Sequence, residues 1–194
     1  LGGQEPSRSD KVEEYNGSSW TEITEFNTAR SSQGASGLGT VTDTIMFAGN
    51  TGSQSALAET WDGTTWTEVS DLNTARYDVG GAGASNTSAI CFAGGEPSRS
   101  DKTESWNGSS WTEVGDLNET KDNVGAAGDA GAAIAFGGST PSLTANTEAW
   151  NGSAWAEVGN LGTARSQVAG SGSVASALAT GGESPSVTNA TEQW

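Results

Sequence analysis

Nine glutamates recur in two registers and are the first residues of this chain with the chemistry that catalysis uses. Glu13, Glu59, Glu104, Glu148 and Glu192 each stand two residues before an aromatic, and Glu22, Glu68, Glu113 and Glu157 each stand two residues after a tryptophan. Two carboxylates facing one cleft make the acid and nucleophile of a glycosidase, and a cluster of them holds calcium. A catalytic pair needs two different environments, whereas these residues are copied from unit to unit. That reads as repeat-structural or solvated strand positions. No Asp-x-Asp-x-Asp-Gly calcium loop occurs.

Histidine is absent. Its absence removes the commonest general base, the Ser-His-Asp and Cys-His arrangements and most zinc sites. Cys91 is the only cysteine and lies between Ile90 and Phe92, so it reads as a core residue and no disulfide closes within the chain. The Gly-Gly doublets lack the Gly-Lys-Ser/Thr and strand-to-helix setting of a phosphate loop. The expectation is a protein that is not an enzyme and has neither metal nor cofactor. Asn16, Asn107 and Asn151 open Asn-Gly-Ser sequons and Asn86, Asn118 and Asn189 open three more, but turn chemistry already accounts for the first three.

The elements that position these residues come from a repeat. The anchor aromatic returns at Tyr15, Trp61, Trp106, Trp150 and Trp194, at separations of 46, 45, 44 and 44 residues. A fixed period of this size marks a propeller or a solenoid. In the copy from Arg76 to Leu117, Tyr77 to Ala84 reads as a small-residue strand and Ala89 to Ala93 as an apolar one ended by Gly94-Gly95. Thr103 to Trp106 follows, then Asn107-Gly108, which predicts a two-residue hairpin turn with positive φ at both positions, and Trp111 to Val114 returns. Four short strands with hairpin connections describe a propeller blade. The eight tryptophans fall into two series, one per strand, and recurrence in every unit is what packing between neighbouring sheets demands.

Composition sets the remaining bounds. The 194 residues hold one sizeable core, 28 glycines that return in register with the tryptophans, and a formal charge of −16. That acidity argues against nucleic acid and anionic membrane surfaces, which need a basic footprint, and favours solubility by self-repulsion. No apolar run is long enough to insert in a membrane as a helix. Leu1 is not followed by a signal-peptide pattern, so the chain reads as a mature product or an excerpt.

Phe92-Ala-Gly-Gly95, the Trp106 strand, the second tryptophan ahead of a Leu-x-x-x-cation segment (Trp66 before Leu72 to Arg76, Trp111 before Leu117 to Lys121) and the cation opening each unit together resemble Kelch repeats. The expected fold is thus an all-β, Kelch-like β-propeller of four-stranded antiparallel blades. Blades are expected over roughly 30–73, 76–118 and 121–162, with part-blades over 1–29 and 165–194. The resemblance makes the Gly/Ala strand innermost, and side chains that small suit a narrow ring of four or five blades. The part-blades supply two and three strands, one more than a shared closing blade requires. Departures from the Kelch pattern are Gly49-Asn50 in place of one diglycine and Lys121 in place of one arginine. The near-identical wording of the units, with Glu-Pro-Ser-Arg-Ser-Asp-Lys at 5–11 and 96–102, is also similar to repeat arrays of marine phage tail-fibre and adhesin-like proteins.

By the Kelch resemblance, the loops entering the innermost strands and those after the diglycine share one face. That face carries the ligand-binding candidates Asn27, Arg30, Asn73, Arg76, Arg99, Asp101, Lys121 and Arg165, with Arg8, Asp10 and Asn118 in equivalent places. The repeated cation has a second reading, as the residue that fixes loop and inter-blade geometry. The functional expectation is a binding module for surface carbohydrate or a protein receptor, in a phage fibre or an extracellular adhesin. The alternative is a structural propeller in a fibre or filament that associates with itself through its unmatched terminal strands. Either places the protein outside cells or on a virion.

Overall fold

The computed structural model describes residues 2–5 and 7–194. Every regular element among them is a strand, and every pairing is antiparallel. The chain opens with a small hairpin, β1 (Gly3–Glu5) and β2 (Ser7–Ser9), followed by a second hairpin, β3 (Val12–Tyr15) and β4 (Trp20–Ile23). Blade I is β5 (Gly34–Ala35), β6 (Thr44–Phe47), β7 (Ala58–Trp61) and β8 (Trp66–Val69). Blade II is β9 (Gly80–Ser85), β10 (Ser88–Phe92), β13 (Thr103–Trp106) and β14 (Trp111–Glu113). Its loop holds the two-residue strands β11 (Gly95–Glu96) and β12 (Ser98–Arg99). Blade III is β15 (Gly125–Gly128), β16 (Ala133–Phe136), β17 (Thr147–Trp150) and β18 (Trp155–Glu157). Blade IV is β19 (Ala169–Ser173), β20 (Ser176–Thr180) and β21 (Thr191–Gln193).

The four inner strands β5, β9, β15 and β19 converge on a central cavity of about 210 Å³, lined by Ala35, Gly81, Ala126, Gly170 and their neighbours. The molecule is a four-bladed β-propeller. Blades I to III have four strands and blade IV has three, while β3–β4 form the outer half of another blade packed against blade I through Val12, Phe26, Met46, Trp61 and Trp66. These are the incomplete ends expected from the repeat.

Small inner residues have a local cause as well as an axial one. Gly34, Gly80 and Gly125 pair across the sheet with Phe47, Phe92 and Phe136, and a Cβ at each glycine would collide with the ring opposite it. The phenylalanine then reaches the next blade. Phe47 meets Trp111 edge-on at 5.0 Å and Phe92 meets Trp155 at 4.7 Å. Such pairs add about 0.5–1.5 kcal/mol beyond the area they bury. Within each blade the two tryptophan series also touch, Trp61 with Trp66, Trp106 with Trp111 and Trp150 with Trp155, at 5.4–5.6 Å. The exceptions are at the ends, where Trp20 is 66% exposed and Trp194 45%.

Two turn assignments differ from the sequence reading. The Asn-Gly loops are not two-residue turns, because the strands close at Trp106–Trp111 and leave four residues, 107 to 110. Only Gly108 has positive φ (93°), while Asn107 Oδ1 accepts from the backbone N–H groups of Ser109 and Ser110. An asparagine side chain closing its own turn replaces the left-handed backbone. The diglycine frame also shifts. The paired left-handed positions are Ala48-Gly49, Ala93-Gly94, Gly137-Gly138 and Gly181-Gly182, with φ near 60–65° and then near 100°. Gly95 therefore lies outside the bend.

Candidate functional site

The cations expected on the loop face lie inside the blades. Arg30, Arg76, Lys121 and Arg165 have no exposed surface and pair with Glu59, Glu104, Glu148 and Glu192. In blade II, Arg76 Nη2 donates to Glu104 Oε1 at 2.9 Å, and Nη1 donates to the carbonyls of Ala93 and Lys102. Asn73 completes the arrangement. Its backbone N–H and its Nδ2 both donate to Glu104 Oε2, at 2.7 and 2.8 Å, and Nδ2 also reaches the Trp111 carbonyl. Asn27 and Asn118 do the same on Glu59 and Glu148. Each Asn-x-x-cation segment thus clasps a carboxylate of the blade that it enters. Burial holds the pKa of the Arg30 guanidinium below its ordinary value, and the Glu59 carboxylate only partly opposes that.

The clasp weakens where its residues change. Lys121 Nζ lies 2.9 Å from Glu148 Oε1 without the alignment of a hydrogen bond. In blade IV the asparagine is Gly162, which offers only its backbone N–H to Glu192 Oε2. Glu192 is also one-third exposed, against 1% or less for Glu59, Glu104 and Glu148.

The remaining candidates do reach the surface. Arg99 is partly exposed and pairs with Asp122 at 3.2 Å, and Arg8 donates twice to Asn50 Oδ1. Asp101 and Asp10 are half-buried, and their carbonyls accept from Leu117 and Phe26. The entering loops and the post-bend loops are joined in each blade by paired bridges, Ser31 with Asn50, Tyr77 with Gly95, Asp122 with Ser139 and Ser166 with Glu183.

One residue further along is a feature that sequence reasoning missed. Ser32, Asp78, Asn123 and Gln167, each two residues after the buried cation, have φ of 56°, 54°, 54° and 53°. Asparagine and aspartate visit this left-handed region most readily; serine and glutamine do so rarely. The backbone imposes it, because the Asp78 N–H donates to Ser32 O, the Asn123 N–H to Asp78 O and the Gln167 N–H to Asn123 O, at 2.9–3.0 Å. These residues immediately precede the inner strands. Joined from blade to blade by these bonds, they form an arc at the leading ends of the inner strands. All four side chains are polar and exposed or half-buried, and Asn123 Nδ2 reaches Asp78 Oδ2 at 3.4 Å. Tyr77 flanks Asp78 with its ring over Gly95.

No family model matches the chain, and no curated protein matches it. The site is therefore read from its own geometry. Hydroxyl, carboxylate and amide groups on an arc beside a phenol ring offer donors and acceptors to a polyhydroxylated ligand. The sequence signal was variation. Between the constant cation and the apolar Val79, Val124 and Val168, the copies read Tyr-Asp, Asp-Asn and Ser-Gln.

Proposed function

We propose that this chain is a non-enzymatic recognition module whose ligand site is the arc of Ser32, Asp78, Asn123 and Gln167 with Tyr77, and that the ligand is a surface carbohydrate. The observation carrying this reading is that four non-glycine residues hold strained backbone at one mouth of the ring while their identities change from blade to blade. Strain kept at varying polar positions on an otherwise repeated frame is how binding loops on rigid scaffolds are organised. Sites this shallow gain strength by multivalent display, as in a phage fibre or an extracellular adhesin, which would place the protein outside cells or on a virion. The Kelch-like relationship belongs to the same proposal, supported by the glycine bend after each second strand and the tryptophan of each fourth.

A glycan array probed with the whole chain, and with Asp78→Ala and Asn123→Ala variants of unchanged melting temperature, tests the reading. Binding to a defined subset of glycans that falls about tenfold in either variant is expected, equivalent to roughly 1.4 kcal/mol. An array without hits, or hits indifferent to both substitutions, defeats it.

A further inference from the structure

Around the arc, residue types change from blade to blade on a backbone frame that does not. In each of blades I to IV, three residues bridge side by side, one entering the blade, one after the glycine bend and one from the loop beyond. In blade II these are Tyr77, Gly95 and Arg99. The middle residue is Asn50, Ser139 or Glu183 in the other blades, so the frame itself accepts a side chain there. Gly95 has no left-handed φ to account for it either. A Cβ on Gly95 would stand 3.1 Å from Tyr77 Cζ and 3.4 Å from its hydroxyl oxygen. The glycine therefore makes room for the ring, and Tyr77 is the only aromatic among the four entering residues.

The charge beside that ring is negative and lacks a counter-ion. Asp78, the next residue, is the only charged member of the arc. No ion pair among the described residues includes it, and its carboxylate meets the Asn123 amide only at 3.4 Å. Arg99 is paired with Asp122, and the four cations that open the blades are buried against glutamates. The formal charge of −16 sets up a field that draws cations towards the molecule and repels anions. A carboxylate next to an aromatic face suits an ammonium group, which the charge and the ring quadrupole both attract.

We propose that the arc takes a saccharide bearing a protonated amine, an unacetylated amino sugar whose ammonium sits between the Asp78 carboxylate and the Tyr77 ring. The ammonium donates to Asp78, and the sugar hydroxyls are left to Asn123 and the other polar residues of the arc. The inference rests on the arc being a carbohydrate site and adds the charge of the ligand, which that reading leaves open.

Calorimetric titration of the whole chain with short glucosamine oligomers, and with the same oligomers N-acetylated, is the test. Acetylation removes the charge and keeps the ring hydroxyls. The free amine should bind at least about tenfold more tightly than the acetamide. Asp78→Asn keeps the size of the side chain and suits the left-handed backbone, so it should fold normally and weaken amine binding at least about tenfold. Tyr77→Ala, with its melting temperature checked, should weaken it as well. Glu157→Gln removes an equal charge from an exposed position on β18 and should leave binding unchanged. Amine binding that ignores Asp78→Asn, or that falls as much in Glu157→Gln, overturns the inference, the latter as attraction by net charge alone. Equal affinity for the two oligomers that is lost in Asn123→Ala overturns it too, while leaving the arc a carbohydrate site. Binding of no saccharide overturns both readings.

Discussion

Arg76 and Glu104 face one another at 2.9 Å with neither side chain reaching solvent, and the same carboxylate holds the backbone and side chain of Asn73. A carboxylate saturated in this way fastens the loop leaving blade I to the third strand of blade II. Removing one partner of such a pair strands a charge in the interior. Arg76→Ala should therefore destabilise the fold by about 3–5 kcal/mol. Arg165→Ala should lose distinctly less, because Glu192 is one-third exposed and can be resolvated. Urea unfolding of the two variants checks the order, and equal losses would contradict it.

Lys121 is the natural variant of the same clasp. The arginines of blades I and II use Nη1 to bind two backbone carbonyls each, which a lysine that is also paired to glutamate does not reproduce. The corresponding carbonyls in blade III are those of Gly137 and Asn146, by the same backbone bond that joins Ala93 to Lys102. Lys121→Arg should raise stability by about 1 kcal/mol. Thermal unfolding would show it as a higher midpoint, and a lower midpoint would mean that the guanidinium does not fit.

Asp62 stands in blade I where Asn16, Asn107 and Asn151 stand in the other hairpin loops. Its carboxylate accepts from the Thr64 hydroxyl and from the backbone N–H groups of Thr65 and Thr64, which lowers its pKa to about 2. An aspartate in an unfolded chain titrates near 3.9. The folded value is the lower one, so the carboxylate contributes stability in full above about pH 4 and loses it as the pH falls through about 2. Asp62→Asn keeps the acceptor oxygen and removes this dependence. Side-chain carboxyl titration by NMR should give a midpoint near 2, and one near 4 would show that the turn does not hold the charge.

The fold was legible because its determinants are local and repeated. The tryptophan spacing set the blade length, and the glycine-rich strands indicated a narrow ring. Arg76 and Glu104 were both visible as recurring residues, and the second reading of the cation, as a residue that fixes loop and inter-blade geometry, accords with its burial, but the two lie 28 positions apart and neither motif names the other as its partner. The αL residues were less legible still. Ser32 and Gln167 have no intrinsic preference for φ near 55°, so that conformation follows from hydrogen bonds between blades, which exist only once the ring has formed. The Asn107 loop was misread because Asn-Gly suits a two-residue turn, whereas the Trp106–Trp111 pair sets a four-residue one.

Gly80 and Phe92 supply a test of how the inner strands became so small. A Cβ on Gly80 would stand 2.7 Å from Phe92 Cδ2 and 2.8 Å from Val124 Cγ2, closer than packed carbons approach. Blade IV solves the same contact differently, with Ala169 opposite Thr180. Glycine is therefore required by its neighbours, first the ring across the sheet and then Val124 of the next blade, and not by the strand itself. Gly80→Ala alone should cost about 1–3 kcal/mol through overpacking. Phe92→Thr is also destabilising, since it forfeits the edge contact with Trp155. In the Phe92→Thr background, however, the cost of Gly80→Ala should shrink by at least about 1 kcal/mol, because the ring it collides with is gone. A double-mutant cycle from urea unfolding measures that coupling. Strict additivity would mean that Val124, and not Phe92, excludes the side chain.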